Sequence, residues 1–552
     1  MPENTDPQDL STVIAAAEQL MGVSFTDAER TQMQAVLQEH LNRYDDLHNA
    51  TFENTVGMAL HFQPLPPEPV EPTAVPRSYV ISTQPEVTRP DNLEDVAFWP
   101  LTQLAQLIHT KQVTSVELTE MYLERLRNYG PKLECVVTLT EDIAMEQARR
   151  ADAELAANRY RGPLHGIPWG AKDLLAVRGH PTTWGAMPFK DQVIDMNATV
   201  VERLEAAGAL LVAKLTMGAL AYGDVWFGGV TKNPWNIETG SGGSSAGSGS
   251  ATAAGLVGFS IGTETLGSII NPSTRCGVTG LRPTFGRVSR HGAMALVWSM
   301  DKIGPICRSV EDCALVFSAI YGPDGHDVTV SDKPFTWNPS QNPRKLRVGY
   351  PVQEFEAAQA DSQTAEGALA NHNELIAANN PNSNAVLDVL REQDFDLVPI
   401  ALPEGDMSPL FLILIAEAAA AFDDLTRNNT DDTLVRQDDN AWPNLFRAAR
   451  LIPAVEYIQA TRLRTLVMHQ LATVMTDIDV FVSPSFGNNV LPMTNHTGHP
   501  AIAVPNGFTP DGMPTSITFV GSLYGEADLL AVAKAYQDAT DFHTQHPDLS
   551  AL

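Results

Sequence analysis

The chain has 552 residues and a formal net charge of -30 at pH 7, from 36 Lys and Arg against 66 Asp and Glu. Phosphate backbones are bound by basic surfaces, so this balance excludes a nucleic-acid binder and disfavours docking on anionic membranes. The hydrophobic content of 43% is ordinary for a globular enzyme, and the length allows a large core with an added segment.

The four cysteines, Cys135, Cys276, Cys307 and Cys313, form no C-x-x-C pair and are too few for a disulfide scaffold. Buried thiols are expected. No apolar run is long enough for a transmembrane helix. The opening MPENTDPQDL lacks a basic n-region, so no secretory signal is read there and a cytoplasmic enzyme is expected.

Leu10 to Leu47 carries apolar residues at helical spacing. Thr26 followed by Glu29 has the pattern of a capping box, in which each side chain bonds the other residue's backbone N–H. Two helices are expected, with a third over Asn49 to Leu60. This segment, residues 1–62, fits docking on the main domain, self-association as a homodimer, or binding of another partner. Pro64 to Pro76 is proline-rich and reads as an extended spacer within a linker, 63–91. The catalytic domain is expected over 92–552.

Two amphipathic helices are predicted between Leu101 and Tyr129, the second capped by Ser115. Leu133 to Leu139 reads as a buried strand and Glu141 to Asn158 as a helix. Gly162 to Asp173 turns into a short apolar strand ending at Lys172. A helix (Ala198 to Ala207), a strand (Ala209 to Ala213) and a loop rich in Gly, Trp and Phe follow. This alternation predicts an α/β fold with a largely parallel or mixed sheet. Farther on, Leu346 to Tyr350 reads as a strand and Ala357 to Asn384 as helical. Val386 to Ile400 reads as a helix and a strand, and Met407 to Thr426 as one long apolar helix.

Lys172 sits among apolar neighbours. Desolvation disfavours its ammonium form, and a neutral amine near pH 7 can act as a general base. Pairing with Asp173 or another acid is the alternative. The centre of the chain is Gly240 to Thr284, where two serine-bearing turns, GSGGSSAGS and GTETLGS, flank the apolar stretch Ala251 to Ile261. A flexible linker would be polar throughout. Gly243 to Gly247 matches G-x-S-x-G, but a nucleophile elbow needs a strand immediately before it, and Lys232 to Gly240 reads as a loop. A nitrilase-like site would need an activated cysteine, and Cys135 reads as core. No H-E-x-x-H, Walker loop or dinucleotide fingerprint occurs, so no metal and no cofactor is implied.

Taken together, GIPWGAKD, GSGGSSAGS, GTETLGSI, CGVTGLRPTFGRVSRHG and SMDKIGPICRSVED, in that order, resemble the amidase signature family. The resemblance continues through Arg462, the strand Phe481 to Pro484, and Gly498 to Ala501. It implies a central mixed β-sheet flanked by helices on both faces, and a Ser–cis-Ser–Lys triad. On this likeness Ser268 is the nucleophile, Ser244 the bridging serine on a cis peptide, Lys172 the base and Ser245 a supporting hydroxyl. The backbone of Thr265, Leu266, Gly267 and Ser268 supplies the oxyanion hole. Leu266 and Glu264 depart from the family's usual glycine and aspartate. Met217, Tyr222, Trp226, Phe227 and Ile270 are pocket candidates, although core packing explains each equally well.

The implied reaction is hydrolysis of a linear carboxamide through an acyl-enzyme, with esters, anilides or carbamates (a urethanase-like activity) open to the same route. The partner expected is a small-molecule amide. The alternative within the family is the glutamine-hydrolysing A subunit of a tRNA-dependent amidotransferase.

Overall fold

The computed structural model describes residues 7–50, 53–60, 78–83, 85–357, 382–487 and 489–550. The proline-rich spacer and most of the helix expected over Ala357 to Asn384 lie outside the described residues. The chain divides into two units. One comprises residues 1–64, 295–300 and 403–472, the other 65–294, 301–402 and 473–552.

The first unit is helical. Helices α1 (Pro7–Met21) and α2 (Asp27–Asn49) form where the spacing predicts them. Thr26 caps α2: its hydroxyl accepts from the Glu29 N–H at 3.3 Å, and the Glu29 carboxylate accepts from the Thr26 N–H at 2.6 Å. Ile14, Phe25, Met33, Val36 and Leu37 bury one face together with Ala448. The third helix does not form over 53–60. Asn54, Thr55 and Gly57 are poor helix formers, and the stretch instead makes a turn, closed by the Val56 N–H donating to the Glu53 carbonyl at 3.0 Å. Arg462 also donates to that carbonyl and to the Val56 carbonyl. The predicted helix over Met407 to Thr426 is broken. A helix spans Phe411–Ala421, Phe422 leaves helical geometry at φ -120°, and Asp423–Arg427 follows as a separate turn.

The second unit is built on an eleven-stranded sheet. In chain order its strands are β1 (Val136–Leu139), β2 (Pro168–Lys172), β3 (Leu210–Leu215), β4 (Phe259–Glu264), β5 (Thr279–Arg282), β6 (Lys302–Cys307), β7 (Arg347–Pro351), β8 (Asp396–Ile400), β9 (Val480–Pro484), β10 (Ala501–Phe508) and β11 (Pro514–Gly521). They lie side by side as β8-β7-β9-β11-β10-β5-β6-β4-β2-β3-β1. Parallel pairs (β2 with β3 and β4, β7 with β8 and β9) lie towards the two ends of the sheet and a block of antiparallel pairs, β9-β11-β10-β5-β6-β4, lies between them, so the sheet is mixed, and helices flank it. The strands β2, β3, β4, β5, β6 and β9 are buried along their whole length. That is why β3 and β9 read as largely apolar runs rather than alternating ones.

Helices α3 (Leu101–His109), α4 (Ser115–Leu133), α5 (Glu141–Ala156) and α6 (Thr199–Ala206) fall close to their predicted positions. The cap of α4 is Thr114, one residue before the predicted Ser115, because Thr114 pairs with Glu117 in a capping box. Leu123, Leu126, Leu133 and Cys135 pack with Val212, Leu215, Ala251 and Val257 in one core. Lys232 to Gly240, read as a loop, is a small antiparallel hairpin of Lys232–Asn233 with Asn236–Gly240. It pairs with itself rather than joining the main sheet, so the strand-to-helix elbow is still not made.

Candidate active site

Strand pairing builds the site. β2 runs parallel to β4 with Ala171 opposite Ile261, so Lys172 ends its strand one step short of Thr263. β4 runs antiparallel to β6, with Glu264 opposite Lys302. The two serine turns meet beside this trio: one follows the Asn236–Gly240 hairpin strand and leads into α7 (Ala246–Ala253), the other leaves β4 and enters α8 (Ile270–Cys276).

Lys172 is 0% exposed. Its Nζ lies 2.9 Å from Ser244 Oγ, 3.1 Å from Ser245 Oγ, 2.9 Å from Thr263 Oγ1 and 3.3 Å from the Thr263 carbonyl. Burial pulls the amine down to about 7, against the opposing pull of Asp301 and Glu264. It does not pair with its neighbour. Successive side chains on a strand point to opposite faces, and Asp173 instead meets Lys214 at 2.7 Å, both side chains fully buried. Asp173 also accepts from the Thr183 N–H at 2.9 Å.

A neutral amine has two N–H donors and one lone pair. Ser245 gives its own proton to the Thr263 carbonyl at 3.1 Å and accepts the Thr263 N–H at 3.1 Å, so towards the amine it acts as an acceptor. The lone pair is left for a hydroxyl that can donate, and the hydroxyls of Ser244 and Thr263 both stand at 2.9 Å. The Gly243–Ser244 peptide is cis. The loop is tied down by Asp224, whose carboxylate accepts from the Gly242 N–H at 3.0 Å. At Gly243 a Cβ would stand 1.9 Å from the Gly223 carbonyl, so only glycine fits that close approach.

Ser268 is 8% exposed, the most open of the three serines. Its carbonyl accepts from the Ser245 N–H at 3.2 Å, which joins the two serine turns. Gly267 turns at φ +85°, in the left-handed region that favours glycine. Among the described residues no acceptor takes the backbone N–H of Leu266, Gly267 or Ser268. Successive N–H groups without an acceptor beside a serine hydroxyl are the kind of donor that a negatively charged oxygen needs.

Both ends of this turn are fixed by buried charges. Glu264 accepts from the N–H groups of Ile269 at 2.8 Å and Ile270 at 3.0 Å. Arg282 meets its other oxygen at 2.7 Å, and Asn495 donates to that same oxygen at 2.9 Å. Burial would raise the Glu264 carboxyl, but the charges of Arg282 and Lys302 and these hydrogen bonds outweigh it and bring the group down to about 2. Lys302 donates to Asn495 Oδ1 at 2.8 Å and to the Thr265 carbonyl at 3.3 Å, and the Thr265 hydroxyl donates to Asp301 at 2.6 Å.

Thr263, Arg282, Asp301, Lys302 and Asn495 were not among the residues expected at the site. Two adjacent charges entering a buried strand, Asp301 and Lys302 in SMDKIGPI, are the signal that could have flagged two of them.

The pocket candidates separate. Met217 and Ile270 are 0% exposed, and Ile270 packs in a core with Phe481, Val490 and Ala503. Trp226 is buried and stands edge-on to Phe227, with centroids 4.8 Å apart. Tyr222 and Phe227 are the two that are half-buried. Cys135 is buried in the core, where desolvation pushes its thiol up to about 12, so it is no nucleophile. No group of side chains that could hold a metal is found among the described residues, and no described helix is long and apolar enough to cross a membrane.

The sequence profile of the family described as Amidase matches residues 117–492. The glutamyl-tRNA(Gln) amidotransferase A subunit of Roseiflexus sp. (strain RS-1) is 32% identical over 483 residues, which is 79% of this chain and 96% of that one. Its counterpart from Methylococcus capsulatus is 33% identical over 81% of this chain and 98% of its own length. Among solved structures, the native peptide amidase of Stenotrophomonas maltophilia superposes with a TM-score of 0.70 at 27% identity, over 82% of this chain and 99% of that one. With a mixed sheet of this size and these matches along most of its length, the chain belongs to the amidase (amidase signature) family, a class of enzymes acting on C–N bonds.

Proposed function

We propose that the chain hydrolyses a linear carboxamide through a covalent acyl-enzyme. In this reading Ser268 attacks the amide carbonyl, Ser244 carries the proton of Ser268 to the neutral amine of Lys172, and Ser245 holds the amine in place. The backbone N–H groups of Thr265 to Ser268 receive the oxyanion. The amine or ammonia leaves with a proton returned along the same route, and water then releases the acid. The catalytic segment is 92–552.

The observation that carries this reading is the environment of Lys172: a fully buried amine brought to about 7, with two serine hydroxyls and a threonine hydroxyl within 3.1 Å. A serine hydroxyl needs such a base to become a nucleophile, and Ser–Lys arrangements provide it without histidine. Ser268→Ala is expected to abolish amide turnover while leaving the thermal midpoint within a few degrees of the parent. Amidase activity retained by that variant would reject the assignment.

A second reading is glutamine hydrolysis in the role of an amidotransferase A subunit, favoured by the names and 32–33% identity of the relatives. Release of ammonia from free glutamine by the purified chain, or co-purification with partner subunits, supports it. Turnover of anilides, carbamates or esters with no glutaminase activity supports the first.

A further inference from the structure

Two buried lysines stand at this site, Lys172 against the serine hydroxyls and Lys302 against the turn that carries Ser268, and the proposed reaction uses one. Lys302 is 3% exposed and stands at the start of β6. Its amine donates to the Thr265 carbonyl at 3.3 Å and to Asn495 Oδ1 at 2.8 Å. Asn495 in turn donates to Glu264 at 2.9 Å. The asparagine bridges the lysine head and the glutamate, accepting from one and donating to the other. The Thr265 carbonyl belongs to the same peptide unit as the Leu266 N–H, one of the three N–H groups with no acceptor among the described residues.

We propose that Lys302 is a positioning residue of the oxyanion turn, polarising the Thr265–Leu266 peptide so that the Leu266 N–H binds developing negative charge more strongly. A peptide unit is conjugated from its oxygen to its nitrogen. A cation on the oxygen draws density from the N–H, and hydrogen bonds in series strengthen one another, more so where water is excluded. The lysine's positive charge also acts directly on an oxyanion through a low-dielectric interior. On this proposal the two lysines take opposite states, Lys172 neutral to accept a proton and Lys302 charged to hold a dipole, in keeping with the charge of Lys302 being one of the causes that lower the Glu264 carboxyl. The inference rests on the reading of Ser268 as the nucleophile.

A fluorophosphonate probe tests both, whatever the substrate is. Ser268 Oγ forms a bond to phosphorus, the P–F bond breaks, fluoride leaves, and the serine proton passes through Ser244 to Lys172. The phosphoryl oxygen then occupies the place of the oxyanion. Labelling rates and the 31P resonance of the adduct are measured for the full chain, for Lys302→Gln, which keeps a donor without charge, and for Lys302→Met, which keeps neither.

The expected result is labelling slowed about tenfold in Lys302→Met, since a weakened donor costs less than the hundredfold or more of a lost one. A smaller loss is expected in Lys302→Gln, with the 31P resonance displaced in the same order. A resonance unmoved in both variants, or a loss larger in Gln than in Met, overturns the proposal. If Lys302→Met does not fold, the comparison of Lys302→Gln with the parent decides alone. Failure of the parent chain to label at Ser268 overturns the nucleophile assignment and this inference with it. Labelling at Ser268 with no dependence on residue 302 overturns the inference only.

Discussion

At Lys172 two effects oppose each other, and their balance sets the working pH. Removal from water favours the neutral amine, while Asp301 and Glu264 favour the charged one; desolvation is the larger and leaves the group at about 7. The neutral form accepts a proton, so activity is expected to be low below pH 6, to rise through about pH 7, and to level off above it. A pH profile of kcat/KM reports this group in the free enzyme. A flat profile between pH 6 and 8 would remove Lys172 from the role of base. Lys172→Met keeps the volume of the stem, removes the base, and is expected to lower kcat by at least a factor of about 100.

The turn from β4 into α8 depends on contacts that come from far along the chain. Arg282, Lys302 and Asn495 lie on β5, on β6 and in the helix Val490–His496, and reach Glu264 and Thr265 only because the sheet sets β5, β6 and β4 side by side. Such a network is invisible to local reasoning. Glu264 stands out in the sequence only as a departure from the usual aspartate, whereas its carboxylate spans the Ile269 and Ile270 amides on one side and Arg282 on the other. Features set by neighbouring residues are legible: the capping box at Thr26, the buried strand ending at Lys172, and the apolar segment between the serine turns. The break at Phe422 and the hairpin at Lys232 to Gly240 are not, because apolar periodicity and Gly/Asn content do not report tertiary pairing.

The network also makes a stability prediction. Glu264→Gln leaves Arg282 buried without its counter-charge, and breaking a buried pair costs about 3–5 kcal/mol. The folded carboxyl lies at about 2, below its ordinary 4.5, so its contribution is present above pH 4.5 and disappears as the pH falls towards 2. Urea midpoints of the parent and Glu264→Gln are therefore expected to differ most at neutral pH and to converge in acid. A constant difference across that range would show that the loss is steric rather than ionic.

Over the whole molecule the excess of anions decides how it responds to salt. Even if each of the 36 Lys and Arg took one carboxylate, thirty acidic side chains would have no partner of opposite sign. The buried pairs Lys214–Asp173, Arg282–Glu264 and Arg287–Glu526 have fully buried side chains and are little affected by ions in solution. Exposed pairs such as Arg178–Asp195 contribute at most about 1 kcal/mol each and are weakened by salt. Against them stands the mutual repulsion of the unpaired carboxylates, which acts over longer distances. It is cut back as the Debye length shrinks from about 10 Å at 0.1 M to about 3 Å at 1 M. Repulsion is the larger quantity here because it involves the whole surplus of thirty charges, whereas each exposed pair contributes little on its own. Raising sodium chloride from about 0.1 M to about 1 M is therefore expected to raise the thermal midpoint, read by scanning calorimetry at pH 8, where the carboxylates are ionised. At pH 4, where many are protonated, the same addition is expected to do much less. A midpoint that falls with salt at pH 8 would mean that the surface ion pairs outweigh the repulsion, and that the acidic surface is held together by its arginines rather than strained by its carboxylates.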